Sequence, residues 1–551
     1  MQEIRTCCAL GLLIVSTAGL SAAAEDPAWS RARRAAGTIV VQPHSGSIPY
    51  DGERFGPAAV PLERGHYMYG AEWMANARRE SYVDPEVQEG WSLRRDVGVA
   101  GEPMTSRAPG RRLTFDGLNR ATSAYEGRTG FPADATLSVS PTRILQATNI
   151  ALRMTGRDGI ELDRTPLNSF FGFDSNFVLF DPKVYFDRLS ERFFLVALEH
   201  DDVNERSAIW LAVSKGDSPS ALSAPDQFCT YRIRAKRAGS SADYPVIGIN
   251  ENWFAVGVNN FRFSNGFFRR AHVYVMPVAQ ITDNASSCPA LGVKRFDPQR
   301  DAAGITAFTI HPAQHYSTNG LPGEPLFLVS SSAFVPATDY TLWRITTDAG
   351  GQPRLAKHVV SGDFAYFIPP GAPQKGGSVL DAGDTRITQA AFRDGKVWAA
   401  HATACGIGPL PNESCVRAVQ FSLPATGPPS IAYSETFGRQ NTFLFWPGIA
   451  INKDGDVAMA FHKSKSGTYL GTVFNGKRAS ANHFDVLRNL RIGTCPLDNF
   501  DPGLMANRTG DYVGLQTDPA DNLSFWLAGE YPGNIAGVGC DWKTRIGKAK
   551  Y

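Results

Sequence analysis

From about Phe131 to the C-terminus, short apolar runs and polar turns recur in one order. An Asp or aromatic residue opens a short apolar strand. A polar turn follows, then a second and strongly apolar strand, then a polar loop and a third strand. The clearest copies open with Asp134-Ala-Thr-Leu-Ser-Val, Asp181-Pro-Lys-Val-Tyr-Phe, Asp243-Tyr-Pro-Val-Ile-Gly-Ile, Asp384-Thr-Arg-Ile-Thr-Gln-Ala, Phe445-Trp-Pro-Gly-Ile-Ala-Ile and Asp511-Tyr-Val-Gly-Leu-Gln-Thr. Their second runs include Arg192-Phe-Phe-Leu-Val-Ala-Leu-Glu199, Trp253-Phe-Ala-Val-Gly-Val-Asn259 and Leu523-Ser-Phe-Trp-Leu-Ala-Gly-Glu530. A weaker copy, Pro325-Leu-Phe-Leu-Val-Ser with Tyr340-Thr-Leu-Trp-Arg-Ile, fills the gap between the third and fourth of these. Strands of this length, bounded by turn residues and repeated at tens of residues, predict an all-β chain folded as a single β-propeller. Runs that are apolar at every position suit the middle strands of a blade, which are buried on both faces. Counting the weak copy predicts seven blades, with six and eight as the neighbouring counts. An array of β-sandwiches is the rival architecture.

The rest of the chain divides differently. Arg5, the apolar run from Ala9 to Leu20 and the small residues Ser21-Ala22-Ala23-Ala24 predict a secretory signal over residues 1–24. The run is too short for a permanent membrane span. Residues 25–125 are rich in Arg, Gly, Pro and Glu, and read as an irregular, partly ordered N-terminal extension. The propeller is assigned to 126–551. The 551 residues carry a formal charge of only +2, which removes a polybasic nucleic-acid arm from consideration. Beyond the leader six cysteines remain, Cys229, Cys288, Cys405, Cys415, Cys495 and Cys540. An even number in an exported chain favours disulfides, and local order suggests 229–288, 405–415 and 495–540 among 15 arrangements.

A propeller gathers distant residues. The first strand of each blade lines the channel, and its start shares one face with the loop between the second and third strands. That rule places Asp134, Asp181, Asp243, Asp384 and Asp511 around one mouth. It adds the loops after Glu199, Asn259, His401, His462 and Glu530. Candidate ligand-binding residues are therefore Asp181, Asp243, Asn259, Arg262, Asp384, Arg386, His401, His462 and Asp511. Candidate catalytic residues are Glu199, His200, Glu530 and Tyr531, because acid/base work on a glycan needs carboxylates or a Tyr/His pair. Architecture explains the Asp residues too. A carboxylate at a strand start accepts hydrogen bonds from turn amides and from the next blade, and recurrence in every copy favours that role. A His ending an apolar strand is more often capped than ligating.

No Walker loop, Gly-x-Ser-x-Gly elbow, His-Glu-x-x-His motif or sialidase Asp-box occurs. No cofactor or metal site is predicted firmly. Structural calcium rests on Asn452-Lys453-Asp454-Gly455-Asp456, which reads first as a tight hairpin turn, as does Asp394-Gly395.

Several segments occur in a recognisable order: Asp181-Pro-Lys-Val-Tyr-Phe-Asp187, Asp243-Tyr-Pro-Val-Ile-Gly248, Leu380-Asp-Ala-Gly-Asp-Thr-Arg386, Gly510-Asp-Tyr512, Asp518-Pro, Phe525-Trp, Glu530-Tyr and Trp542-Lys-Thr-Arg-Ile546. The set resembles a large group of exported bacterial β-propeller-like proteins. The resemblance implies a bacterial exported protein and carries over no reaction and no catalytic residue. The chain departs from that pattern at Phe131-Pro-Ala-Asp134, where the group has a Pro-Pro-Asp-Thr-Asn-Gly-like turn, and at Arg508-Thr-Gly-Asp-Tyr512, where it has Arg-Trp-Gly-Asp-Tyr. Two functions follow as expectations. One is a secreted or periplasmic propeller that binds a glycan, a cell-envelope component or a protein at the channel mouth, with no membrane span. The other is an extracellular glycoside hydrolase or polysaccharide lyase.

Overall fold

The computed structural model describes residues 30–31, 38–44, 109–125, 128–173, 177–297, 299–317, 324–333, 336–406, 412–424, 427–501 and 506–551. The signal segment lies outside these residues. The chain is all-β, with two five-residue helices, Leu167–Phe171 and Val278–Thr282. Most of its strands form seven successive antiparallel meanders, and a small sheet of Ala372–Gln374, Gly377–Leu380, Phe500–Asp501 and Ala506–Asn507 lies apart from them. Their first strands are Thr136–Val139, Phe180–Asp187, Ser240–Ile249, His311–Pro312, Gln389–Arg393, Phe443–Ile451 and Gly514–Thr517. Each first strand touches the first strand of the next meander, and Gly514–Thr517 returns to touch Thr136–Val139.

The apolar second strands explain the packing. In Arg192–Asp201, Phe194, Val196 and Leu198 join a core shared with the third meander, while Phe193, Leu195 and Ala197 join one shared with the first. In Lys396–Cys405, Val397 and Ala399 face the fourth meander, and Trp398 and Ala400 face the other way. Alternate side chains of one strand thus feed two cores, so neither face can be polar. Each fully buried Phe, Leu or Val contributes about 1.5–3 kcal/mol.

The first six meanders supply their own fourth strand. The seventh does not. Its outer strand is Gly110–Asn119, which pairs with Gly539–Lys550, so Phe115 lies opposite Ile546. Three shorter pieces, Ser30–Arg31, Ile39–Val41 and Pro43–His44, add outer strands to the fourth, third and second meanders. The reading of 25–125 as an irregular extension is corrected at these four places. The regular strands there are outer ones with a single apolar face, and Arg111, Arg112 and Asp116 masked the alternation of Leu113 with Phe115. The disulfides are Cys229–Cys288, Cys405–Cys415 and Cys495–Cys540, the pattern of a chain that folds in an oxidising compartment. Among the described residues no helix is long and apolar enough to cross a membrane.

Side chains tie the meanders together where the first strands meet. Gln516 of the seventh meander donates to the Phe186 carbonyl in the second at 3.0 Å. Its oxygen accepts from the Ser138 hydroxyl and the Val139 amide of the first at 3.0 and 3.1 Å. Gln389 of the fifth donates to the Leu515 carbonyl at 2.9 Å and to Gln314 at 3.2 Å, and accepts from the Ile449 amide at 3.3 Å. Replacing Gln516 by Leu strands a buried carbonyl, an amide and a hydroxyl. We expect Gln516→Leu to lower unfolding stability by about 3 kcal/mol in urea titrations. A surface change of similar size, Val203→Ala, is expected to cost under about 0.5 kcal/mol.

Candidate functional site

One end of the line where the first strands meet is built from an unusual backbone. Asp181, Tyr244 and Trp446 have φ of 50°, each in the left-handed region. Each precedes a proline, Pro182, Pro245 or Pro447, and each lies where the pairing with the second strand slips. Proline donates no N–H, so a bulge at that point loses no ladder bond through it. Left-handed φ at a non-glycine residue costs about 1–3 kcal/mol and persists only where the surroundings hold it. Here they do. Asn149 accepts from the Asp181 amide at 2.7 Å, and Asp181 accepts from the Tyr244 amide at 3.2 Å. Asp134, itself at φ 45°, accepts from the Asp511 amide at 2.7 Å. The strand-opening carboxylates thus hold neighbouring meanders together.

The same residues form a mouth. Asp134, Asp181, Asp243 and Asp511 act on one another electrostatically, with Lys183, Arg386 and Arg508 among them. Asp134 is buried, whereas Asp181, Lys183, Asp243, Arg508 and Asp511 are half-buried. Burial pushes the carboxyls of Asp134, Asp243 and Asp511 up to about 7, and that of Asp181 well above its usual range. The Asp181 charge adds to the rise at Asp134; Arg508 offsets part of it at Asp511. Burial also brings the Lys183 amine down to about 7, against the pull of Asp181. Its nitrogen lies 2.9 Å from the ring centre of Tyr512, whose hydroxyl donates to Asp181 at 3.3 Å.

The Leu380–Arg386 segment forms one wall. Asp381 accepts from the Gly383 amide at 3.1 Å, and Gly383 has φ 73° with Trp446 so close that a Cβ would meet the indole at 2.6 Å. Asp384 binds the Arg386 guanidinium through both carboxylate oxygens, at 2.8 and 2.6 Å. That guanidinium lies 4.2 Å from the Tyr244 ring centre and 4.8 Å from that of Phe308. Asp384 and Arg386 are therefore a buried, stacked pair beside the mouth rather than groups open to it. Below the mouth the line of first strands narrows to a cavity of about 40 Å³, lined by Lys183, His311, Gln314 and Gln389. That volume holds a few waters and no sugar ring.

The other candidates scatter. Glu530 joins the cluster, accepting from the Gly510 amide at 2.6 Å, and burial with the Asp134 and Asp511 charges raises it to about 8. His462 donates to the Gly510 carbonyl at 3.1 Å. Glu199 instead binds Arg232 at 2.6 and 2.7 Å and the Trp210 indole at 2.9 Å inside its own meander. His200 sits between Ser241 and Asp202. Asn259 holds Thr309 at 2.7 and 2.8 Å, and His401 accepts from the Tyr340 hydroxyl while donating to the Ala402 carbonyl. Arg262 is exposed at a strand end. The Tyr531 hydroxyl donates to Asp116 at 3.0 Å. Lys183, Arg508, Tyr244 and Tyr512 were not among the sequence candidates. The repeated Asp-Tyr pair at 243–244 and 511–512 was the available signal for the two tyrosines. The Asp454-Gly455 turn is closed by Asn452, whose oxygen accepts from the Asp454 and Asp456 amides. Among the described residues no three His, Cys, Asp or Glu side chains converge as metal ligands.

No protein-family model matches the chain, and no curated protein matches it. Solved structures give distant likenesses. One is a protein of unknown function from Dyadobacter fermentans DSM 18053, at 12% identity and TM-score 0.31, over 80% of this chain and 99% of that one. Another is the alpha-L-arabinanase of Cellvibrio cellulosa, at 10% identity and TM-score 0.26, over 64% and 95%. A third is the exo-beta-1,3-galactanase of Phanerochaete chrysosporium, at 11% and 0.28, over 64% and 81%. Likeness at this level says nothing about chemistry.

Glu530 yields a pH test. Burial penalises its charge, so the folded chain keeps its proton up to about pH 8, while the unfolded chain loses it near 4.5. The stability it contributes is complete below pH 4.5 and is lost as pH rises through about 8. His311, His315 and His401, held neutral down to about 3 by burial, act oppositely below pH 6.5, so a difference must be measured. Relative to the parent, Glu530→Gln should gain stability from pH 5 to 8 by up to about 1.4 kcal/mol per pH unit. Urea unfolding at three pH values checks this, and a pH-independent difference would refute it.

Proposed function

We propose that the seven meanders close as a seven-bladed β-propeller, that the chain is exported, and that it binds a glycan across the mouth formed by Asp181, Lys183, Asp243, Arg508 and Asp511. The observation that carries this reading is the convergence of these half-buried polar groups from three meanders at one end of the first strands. Carboxylates accept from the vicinal hydroxyls of a sugar, and Lys183 and Arg508 donate to its oxygens. The small cavity beneath supports a ligand that lies across the mouth rather than inside it. The first strands, held by Gln389 and Gln516, give those groups a rigid base.

One observation favours a second reading, a carbohydrate-active enzyme. Asp511 and Lys183 lie together and both titrate at about 7, so one mouth offers a proton donor and an acceptor near neutral pH. In this reading Glu530 is a supporting group, since its oxygen is held by Gly510.

The test is a panel of bacterial and plant polysaccharides. Retention in affinity electrophoresis on at least one of them, weakened about ten-fold in Asp243→Asn and Asp511→Asn, is the expected result. Shortened or unsaturated products that vanish in Asp511→Asn would replace the binding reading with the enzymatic one. Neither retention nor products would rule out a glycan and leave a protein partner.

A further inference from the structure

A second polar site lies on the third meander, on the face turned toward the second. Antiparallel pairing sets Asn260 opposite Arg270, Val258 opposite His272 and Val256 opposite Tyr274, and the next pairing sets Tyr274 opposite Arg295. Cross-strand partners share a face, and so do residues two apart. Asn260, Arg270, His272, Tyr274 and Arg295 therefore line one surface. Val256, Val258 and Tyr274 on that surface pack in one core with Ile233 and Ala235 of the second meander. Arg237 enters from the turn between the two meanders, where its amide donates to the Ser240 carbonyl.

These groups are buried without enough partners. Asn260 and Tyr274 are fully buried, His272 is 1% exposed and Arg295 6%. Yet Asn260 Oδ1 and Nδ2, His272 Nδ1, Arg295 Nη1 and Arg237 Nε all lack a hydrogen-bond partner, and the Tyr274 hydroxyl has only Arg295 beside it. An unpaired buried polar atom costs about 1–3 kcal/mol, and several side by side need a common occupant. The charge is one-sided. Asp297 takes Arg295 through Nε and Nη2 at 2.9 Å and lies 3.8 Å from His272 Nε2. Arg237 and Arg270 remain beside it, and Arg269 and Arg262 add positive charge at Arg270. Burial and the Arg295 charge keep His272 neutral.

We infer that this polar cluster between the second and third meanders is a phosphate site, with Arg237, Arg295 and Tyr274 donating to the anion and Arg270 at its rim. A neutral His272 has a free acceptor at Nδ1 once Nε2–H faces Asp297. Hydrogen phosphate carries a proton for that acceptor, and sulfate at neutral pH does not. The site therefore selects phosphate over sulfate. The anion is either free phosphate or the phosphate of a phosphorylated sugar. The inference is independent of the mouth.

The test uses the mature protein in calorimetric titrations with inorganic phosphate, sodium sulfate and glucose 6-phosphate, at one ionic strength set with chloride. We expect one saturable phosphate site, with sulfate weaker by about ten-fold or more. Arg237→Gln and Arg270→Gln, both half-buried positions, should each weaken phosphate by about ten-fold, while the melting temperature in chloride stays near the parent's. Asp511→Asn should leave phosphate binding unchanged. Glucose 6-phosphate that competes with phosphate identifies a phosphomonoester site, and its exclusion identifies a free-phosphate site. No saturable phosphate binding overturns the inference and leaves the cluster to water. So does phosphate binding that both arginine variants retain, or that sulfate equals.

Discussion

Backbone and side-chain polar groups buried where seven first strands converge must find partners, and the rest of the structure depends on how they do. Gln516 joins the seventh, first and second meanders; Gln389 joins the fifth to the fourth, sixth and seventh. Asn149, Asn259, Asp134 and Asp181 do the same work at the end where the strands begin. With this many side chains turned inward, the space between the strands shrinks to the size of a few waters. A ligand larger than that has only the rim left. The position of the candidate site thus follows from the hydrogen-bond requirement of the interior.

The rim then carries a tension of its own. Four carboxylates brought together by strand openings repel one another and lose hydration. Lys183, Arg386 and Arg508 offset part of this, and protonation near neutral pH relieves more. The bulges at Asp181, Tyr244 and Trp446 turn these residues toward the mouth at the expense of regular pairing. Strain and electrostatic cost concentrated in one place is the arrangement found where a protein acts on something else.

The strands were legible because their apolar positions have no polar face to confuse the pattern. Phe193 and Phe194 go to different cores, so a continuous run was the correct sign of a middle strand. The disulfide pairs followed local order on two scales: Cys405–Cys415 joins paired neighbouring strands, whereas Cys229–Cys288 ties the second meander to the third and Cys495–Cys540 the sixth to the seventh. The strand Gly110–Asn119 was hidden because a strand at the outer edge needs few apolar positions, and here Phe115 and Leu118 supply them among polar residues. At the site, the Asp openings were visible as a repeat, but their partners were not. Whether Glu199 meets Arg232 or the mouth is decided by the direction of a side chain in a sheet, and residue order alone does not fix that. Lys183 and Arg508 escaped notice because a lone cation beside an Asp looks like an ordinary surface pair until burial is known.

The seventh meander has a consequence for biogenesis. Its outer strand is among the earlier parts of the chain to be made, and its partner Gly539–Lys550 is the last strand. In chain order the first six meanders are complete before Gly539–Lys550 is made, and Cys229–Cys288 and Cys405–Cys415 lie within them. The Gly110–Asn119 edge must wait unpaired throughout, and the first meander has no seventh to lean on. A truncated product, however long, would retain that open edge and two exposed apolar meander faces. Pairing of Gly110–Asn119 with Gly539–Lys550, rather than any single local folding step, is therefore the event that makes this chain resistant to proteases and to self-association.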